Sequence, residues 1–316
     1  MTDRNYDPDL RDLIPLLPTV SDFSTPEKVR EAREQGFAVQ IASEPNPDVV
    51  KTDMSVPSAP DQPEVEVRVY RPSTPSEEPR PAVFEIHGGG FLVGSKDMMD
   101  PWCERVCSEL DAVVVSTDYR LAPEHPFPAG VEDCYHALCW TVAQADALGI
   151  DTERLAIAGQ SAGGGLAAAC ALMARDRNGP RLCFQLLEIP ELDDRLETDS
   201  MQQFSDTPLW NRPNAEWSWR HYLGPEHKGP VSSYAAPARE TDLRDLPPAY
   251  VSTMEFDPLR DEGILYALSL MRNGVRTELH AYPGTFHGSS LAPSAESSVR
   301  IARDALESLR RALRPQ

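Results

Sequence analysis

The stretch Arg154-Leu155-Ala156-Ile157-Ala158-Gly159-Gln160-Ser161-Ala162-Gly163-Gly164-Gly165 constrains the chain more than any other. A short apolar run enters Gly-x-Ser-x-Gly, and Ala- and Leu-rich helix-forming sequence continues from Leu166 to Met173. Strand, tight turn and helix in that order is the setting of a nucleophile elbow, in which a serine sits at the tip of a strained turn. Bulky side chains two residues to either side would collide with such a turn, and Gly159 and Gly163 remove them. The turn directs the Ser161 hydroxyl away from the sheet. It also leaves the amide of Ala162, which opens the next helix, free to meet an anionic oxygen.

The remaining elements set this turn in an α/β frame. Ala82 to Ile86 and Ala112 to Ser116 read as buried strands, and a helix is expected from about Gly130 to Ala147, ended by Gly149. The elbow helix runs to about Arg177. Strands follow at Cys183 to Ile189, stopped by Pro190, at Ala249 to Phe256 and at Thr277 to Tyr282, and an amphipathic helix closes the chain from Val299 to Leu313. This alternation calls for right-handed crossovers and a mostly parallel sheet. Glu64 to Tyr70 alternates strictly and reads as a half-exposed antiparallel edge strand. Nine prolines between Ser43 and Pro81 exclude a long helix around it.

Two stretches stand outside the alternation. Residues 1–50 read as helical, with Ser24-Thr25-Pro26-Glu27 offering an N-cap, a first-turn proline and a capping-box glutamate for a helix to about Gln35. Residues 191–222 carry Phe204, Trp210, Trp217, Trp219 and Tyr222 without a strand pattern. The expected division is an N-terminal cap segment at 1–50, core at 51–190, an inserted cap segment at 191–222, and core again at 223–316.

Composition narrows the function classes. A net charge of -20 with no basic run argues against nucleic acid or an anionic membrane surface as partner. No apolar run reaches eighteen residues and the first thirty hold no apolar core of a signal peptide, so a cytoplasmic protein without membrane insertion is expected. The six cysteines, at 103, 107, 134, 139, 170 and 183, lack Cys-x-x-Cys spacing and a nearby histidine pair, so they read as packing thiols. No metal is expected.

A serine hydroxyl needs a base to take its proton, and the base needs an acid to fix its tautomer. In open parallel sheets such groups collect at the carboxyl edge. Asp257 ends the strand 249–256 and His287 sits beyond the last strand, which gives the order Ser, Asp, His of α/β-hydrolases. His280 lies within a strand, and His125, His136, His221 and His227 lack a strand-end position. Glu255 shares a face with Asp257 but sits deeper, while Asp261 and Glu262 fall in a first helical turn. His87-Gly88-Gly89-Gly90 follows a buried strand, and three glycines in a row point to close backbone approach, as in an oxyanion loop. His87 reads as a brace for that loop, and Glu85, two residues earlier, is expected to be hydrogen-bonded.

Four motifs, His87-Gly88-Gly89-Gly90, Asp118-Tyr119-Arg120-Leu121-Ala122-Pro123-Glu124, Gly159-Gln160-Ser161-Ala162-Gly163-Gly164 and Asp257-Pro258-Leu259-Arg260-Asp261-Glu262-Gly263, resemble the hormone-sensitive-lipase family of α/β-hydrolase esterases. The resemblance spans about residues 64 to 290. It implies an eight-stranded α/β-hydrolase core with helices on both faces under a helical cap, and carboxylesterase activity on short- to medium-chain esters without a cofactor. It further implies Ser161 as nucleophile, Asp257 as acid, His287 as base, the amides of Gly88, Gly89 and Ala162 as the oxyanion hole, and a homodimer. Gln160 and Ile189 depart from the family's usual residues, Asp or Thr before the serine and Tyr before the proline. Amide or lactone hydrolysis on the same site, or a non-catalytic small-molecule receptor, are the alternative functions.

Overall fold

A computed structural model describes residues 4–17, 21–35, 46–57, 63–292 and 294–314. Its strands are β1 (Val49–Val56), β2 (Val65–Pro72), β3 (Arg80–Ile86), β4 (Val113–Asp118), β5 (Ile150–Gln160), β6 (Phe184–Glu188), β7 (Ala249–Phe256) and β8 (Thr277–Phe286). They form one sheet in the order β1-β2-β4-β3-β5-β6-β7-β8. Every pairing from β4 through β3 to β8 is parallel, while β1 and β2 add antiparallel at one side. The α-helices are α1 (Pro8–Arg11), α2 (Pro26–Glu34), α3 (Asp100–Leu110), α4 (Ala129–Ala143), α5 (Ala145–Leu148), α6 (Ala162–Asp176), α7 (Asp199–Gln203), α8 (Arg212–Leu223), α9 (Arg260–Arg272) and α10 (Glu296–Ala312).

The central strands are apolar on both faces, as a parallel sheet clothed by helices requires. Phe84, Val115 and Ile157 pack on one face with residues of α4, α6 and α9, among them Leu138, Leu166 and Leu270. Val83, Val114 and Ala158 pack on the other with Cys103 and Cys107 of α3 and Leu306 and Leu309 of α10. Strand order reverses at β3, which has β4 on one side and β5 on the other, so a crevice opens at the carboxyl ends of β3 and β5. The register Ile86 with Gly159 brings the polyglycine bend and the serine turn side by side there.

Two distant segments close over this edge. Phe23, with Val29 and Ala32 of α2, joins Trp210 and Ala215 of the second segment in one apolar cluster, seated on Leu92 and Val93 beyond β3 and Leu259 beyond β7. Asn214 Nδ2 donates to the Ser21 carbonyl, and His221 Nε2 lies 2.8 Å from the Phe23 carbonyl oxygen.

Several expectations are corrected. β2 is antiparallel but not an edge strand, because β1 pairs along its whole length from Val49 opposite Pro72 to Val56 opposite Val65. Most of β1 faces solvent on both sides, so it lacks the apolar alternation that would have marked it. Thr25 is the N-cap of α2, accepting from the Lys28 amide at 3.4 Å, which puts Glu27 at the second helical position and not the third that a capping box needs. The expected helix to Ala147 is broken at Gln144 into α4 and α5, and Gly149, with φ 69°, ends it. β8 continues through Pro283 and Gly284 to Phe286, as a sheet-edge strand can. Residues 1–3, 18–20 and 36–45 of the expected cap segment lie outside the described residues.

Candidate active site

The turn between β5 and α6 has the strain its glycines announce. Ser161 adopts φ 56° and ψ -124°, a region that costs an L-residue about 1–3 kcal/mol and persists only where surroundings enforce it. Here they do. The Ser161 amide donates to the Glu188 carbonyl at 2.9 Å, while its own carbonyl accepts from the amides of Gly165 at 3.1 Å and Glu191 at 3.0 Å. A Cβ at Gly163 would fall on the carbonyls of Ile86 and His87, and one at Gly159 on the Gly163 carbonyl, so the neighbouring chains leave no room for either. Gln160 points away and donates to Glu188 Oε2 at 3.2 Å.

Asp257 beyond β7 and His287 beyond β8 converge on this turn. His287 Nε2 lies 2.9 Å from Ser161 Oγ, and His287 Nδ1 lies 2.7 Å from Asp257 Oδ2. Asp257 is fully buried, and its other oxygen accepts from the Leu259 amide at 2.9 Å. A carboxylate only accepts, so Nδ1 carries the proton and Nε2 is left with a lone pair facing the hydroxyl. The rival carboxyls are occupied elsewhere. Glu255 accepts from the Gly284 amide, Asp261 from the Ser200 amide, and Glu262 from the Leu192 amide. Among the rival histidines, His280 bonds Glu278 and His136 faces the Pro57 carbonyl.

The polyglycine bend passes beside the serine. A Cβ at Gly88 would stand 2.9 Å from the Gln160 carbonyl oxygen and 3.3 Å from Ser161 Cβ. Among the described residues no backbone carbonyl accepts from the amides of Gly88, Gly89 or Ala162. Buried amides such as those of Gly88 and Ala162 are rarely left so, and donors of this kind close to a hydroxyl can cradle an anion. The peptide planes carrying two of them are held from their other ends. Tyr119 Oη donates to the His87 carbonyl at 3.0 Å, which fixes the plane of the Gly88 N–H. His87 Nδ1 donates to the Gly88 carbonyl at 2.7 Å, which fixes the plane of the Gly89 N–H. The His87 and Tyr119 rings stack at 4.3 Å, and complete burial lowers the His87 pKa, keeping the ring neutral.

The second aromatic segment roofs the bend. A Cβ at Gly90, where φ is 58°, would enter the Trp210 indole, whose ring centre is 5.9 Å from that of His287. The Phe91 ring stacks on Tyr222 of α8 at 3.9 Å. Below the site Glu85 is hydrogen-bonded as expected, accepting from Trp102 Nε1 at 3.2 Å, but its second oxygen has no partner among the described residues. Burial and the neighbouring Glu188 push its pKa well up, and burial pushes that of Glu188 to about 7. No group of three metal-ligating side chains occurs among the described residues, and no helix there is long and apolar enough to cross a membrane.

Sequence reasoning singled out the three convergent side chains and the three amides. It missed Tyr119 as the donor behind the bend, although it quoted the residue within a motif, and it gave no role to Glu191 or Ser218. Nothing local marks the latter two, since their partners lie far off in the chain.

The alpha/beta hydrolase fold family matches residues 83–291. Esterase LipI of Mycobacterium tuberculosis is 40% identical over 222 residues, covering 70% of this chain and 69% of that protein. Carboxylesterase NlhH of the same species is 38% identical over 261 residues, covering 79% of each. Among solved structures, a bacterial heroin esterase superposes with a TM-score of 0.94 at 49% identity, over 98% of this chain and 99% of that one.

Proposed function

The chain belongs to the hormone-sensitive-lipase family of α/β-hydrolase carboxylesterases, and on that footing we propose that Ser161, His287 and Asp257 are its catalytic triad, with the amides of Gly88, Gly89 and Ala162 as its oxyanion hole. The observation that carries the assignment is the continuous hydrogen-bonded chain from Asp257 through His287 to Ser161, ending beside three amides without backbone partners. Ser161 Oγ attacks the ester carbonyl carbon while its proton passes to His287 Nε2. The carbonyl π electrons move onto oxygen, where the amides meet the developing charge. Collapse expels the alcohol, which takes the proton from His287, and leaves an acyl-serine. Water, deprotonated by the same imidazole, then releases the acid and restores the hydroxyl. Asp257, bonded to His287 Nδ1, orients the ring and stabilises the imidazolium.

The substrates we assign are short- to medium-chain esters, as membership of this family implies. Residues 1–50 and 191–222 are assigned to the cap and 51–190 with 223–316 to the core, in keeping with the shared cluster of Phe23, α2, Trp210 and Ala215. Cytoplasmic placement is supported by six cysteines that are all free thiols. A homodimer belongs to the same proposal and is tested by sedimentation velocity.

Hydrolysis of p-nitrophenyl esters of graded acyl length by the wild type and Ser161→Ala tests the activity. The variant is expected to lose kcat by a factor on the order of 10⁶. Equal, background-level rates in the two proteins would end the proposal.

A further inference from the structure

Glu191 is completely buried immediately beyond the Ile189-Pro190 corner, and it touches both halves of the site. Its amide donates to the Ser161 carbonyl at 3.0 Å. Its Oε1 lies 3.1 Å from Ser218 Oγ on α8, and that hydroxyl lies 2.8 Å from the Gly90 carbonyl oxygen. Oε2 has no partner among the described residues. A carboxylate here would set two acceptors, itself and Gly90, around the single proton of Ser218. A carboxylic acid resolves the competition, since its O–H donates to Ser218 Oγ and Ser218 donates to Gly90.

We propose that Glu191 is a positioning residue acting as a neutral acid: its amide holds the serine turn, and its carboxyl, through Ser218, holds the polyglycine bend at a fixed distance from that turn. The inference rests on the esterase reading of the site. The titratable groups facing Glu191 are Asp257 beyond β7, Glu262 on α9, Tyr222 on α8 and Tyr119 beyond β4, and all are acids. Burial first, and Asp257 with it, pushes the Glu191 carboxyl up to about 8. It is therefore protonated at neutral pH and ionises above that value. Ionisation breaks the relay and places a second negative charge beside Asp257.

The test is kcat and KM for p-nitrophenyl ester hydrolysis from about pH 6 to about pH 10 in the wild type, Glu191→Gln, Glu191→Ala and Ser218→Ala. The glutamine amide donates to Ser218 without titrating, so Glu191→Gln is expected within about threefold of wild-type kcat at neutral pH, without the wild type's fall on the alkaline side. Glu191→Ala and Ser218→Ala are expected to lose about ten- to a hundredfold in kcat with KM little changed, the scale of a small misplacement of reacting groups. An alkaline limb identical in wild type and Glu191→Gln, or wild-type kcat in Ser218→Ala, would overturn the proposal. Thermal melts identify a variant that has not folded, and Glu191→Gln and Ser218→Ala then decide. Failure of the esterase reading is separate, because it would show as equal rates in wild type and Ser161→Ala.

Discussion

Replacing Tyr119 by phenylalanine removes one oxygen atom from the interior and leaves the ring stacked on His87. The lost hydroxyl donates to the His87 carbonyl at 3.0 Å, and that carbonyl belongs to the peptide whose N–H is offered by Gly88. A buried neutral hydrogen bond is worth about 1 kcal/mol net, and stranding its acceptor costs about 1–3 kcal/mol, so a stability loss of about 2 kcal/mol is expected. The catalytic effect is smaller than deletion of an oxyanion donor, about 3 kcal/mol, because the Gly88 amide remains but is free to tilt. A third to a half of that value gives a fall in kcat of about five- to tenfold. KM should hold, since the donor meets full charge only in the transition state. Steady-state kinetics with an aryl butyrate, read with thermal melts, is the assay. A lowered melting temperature with wild-type kcat would refute the argument, because the hydroxyl would then support the fold without orienting the amide.

Asp257→Asn should fold and bind substrate yet lose about 10⁴ in kcat, because an amide at this position favours the wrong imidazole tautomer; near-normal turnover would remove Asp257 from the triad. Glu188→Gln tests the buried carboxyl layer through stability. The Glu188 pKa, near 7 when folded, lies above the ordinary value of 4.5, so the folded chain holds the proton more tightly across that window. Its contribution to stability is full below pH 4.5 and is lost as pH rises to 7. Glu188→Gln should therefore melt higher than the wild type at pH 8, by the equivalent of up to roughly 3 kcal/mol, with the difference closing toward pH 5. A difference independent of pH in that range would contradict the buried ionisation.

The side chains proposed for catalysis were legible because each sits at a recognisable boundary of a strand or turn. Gly159 and Gly163 flank the serine for lack of space, and Asp257 and His287 end runs of strand pattern, so their strand-end positions distinguished them from Glu255 and His280. β1 was not legible, since its exposed Lys51, Thr52 and Asp53 carry no burial signal and only pairing with β2 makes them a strand. The edge assignment of β2 failed for the same reason. β8 runs past the expected end at Tyr282 because Pro283 sits where one side of the strand is unpaired. Tyr119, Glu191 and Ser218 act through carbonyls of residues 32, 30 and 128 positions away, and no periodicity encodes such a contact.

The bend after β3 is held from above by both distant segments. Arg33 of α2 donates to the Leu92 carbonyl at 2.6 Å and the Ala122 carbonyl at 2.5 Å, while Trp210 and Ser218 press and tether Gly90. The placement of the bend is then a property of a matched pair. A chimaera that transplants one segment from a relative separates Asn214 and His221 from the carbonyls of Ser21 and Phe23, so grafting should succeed when both pieces travel together and falter when either goes alone.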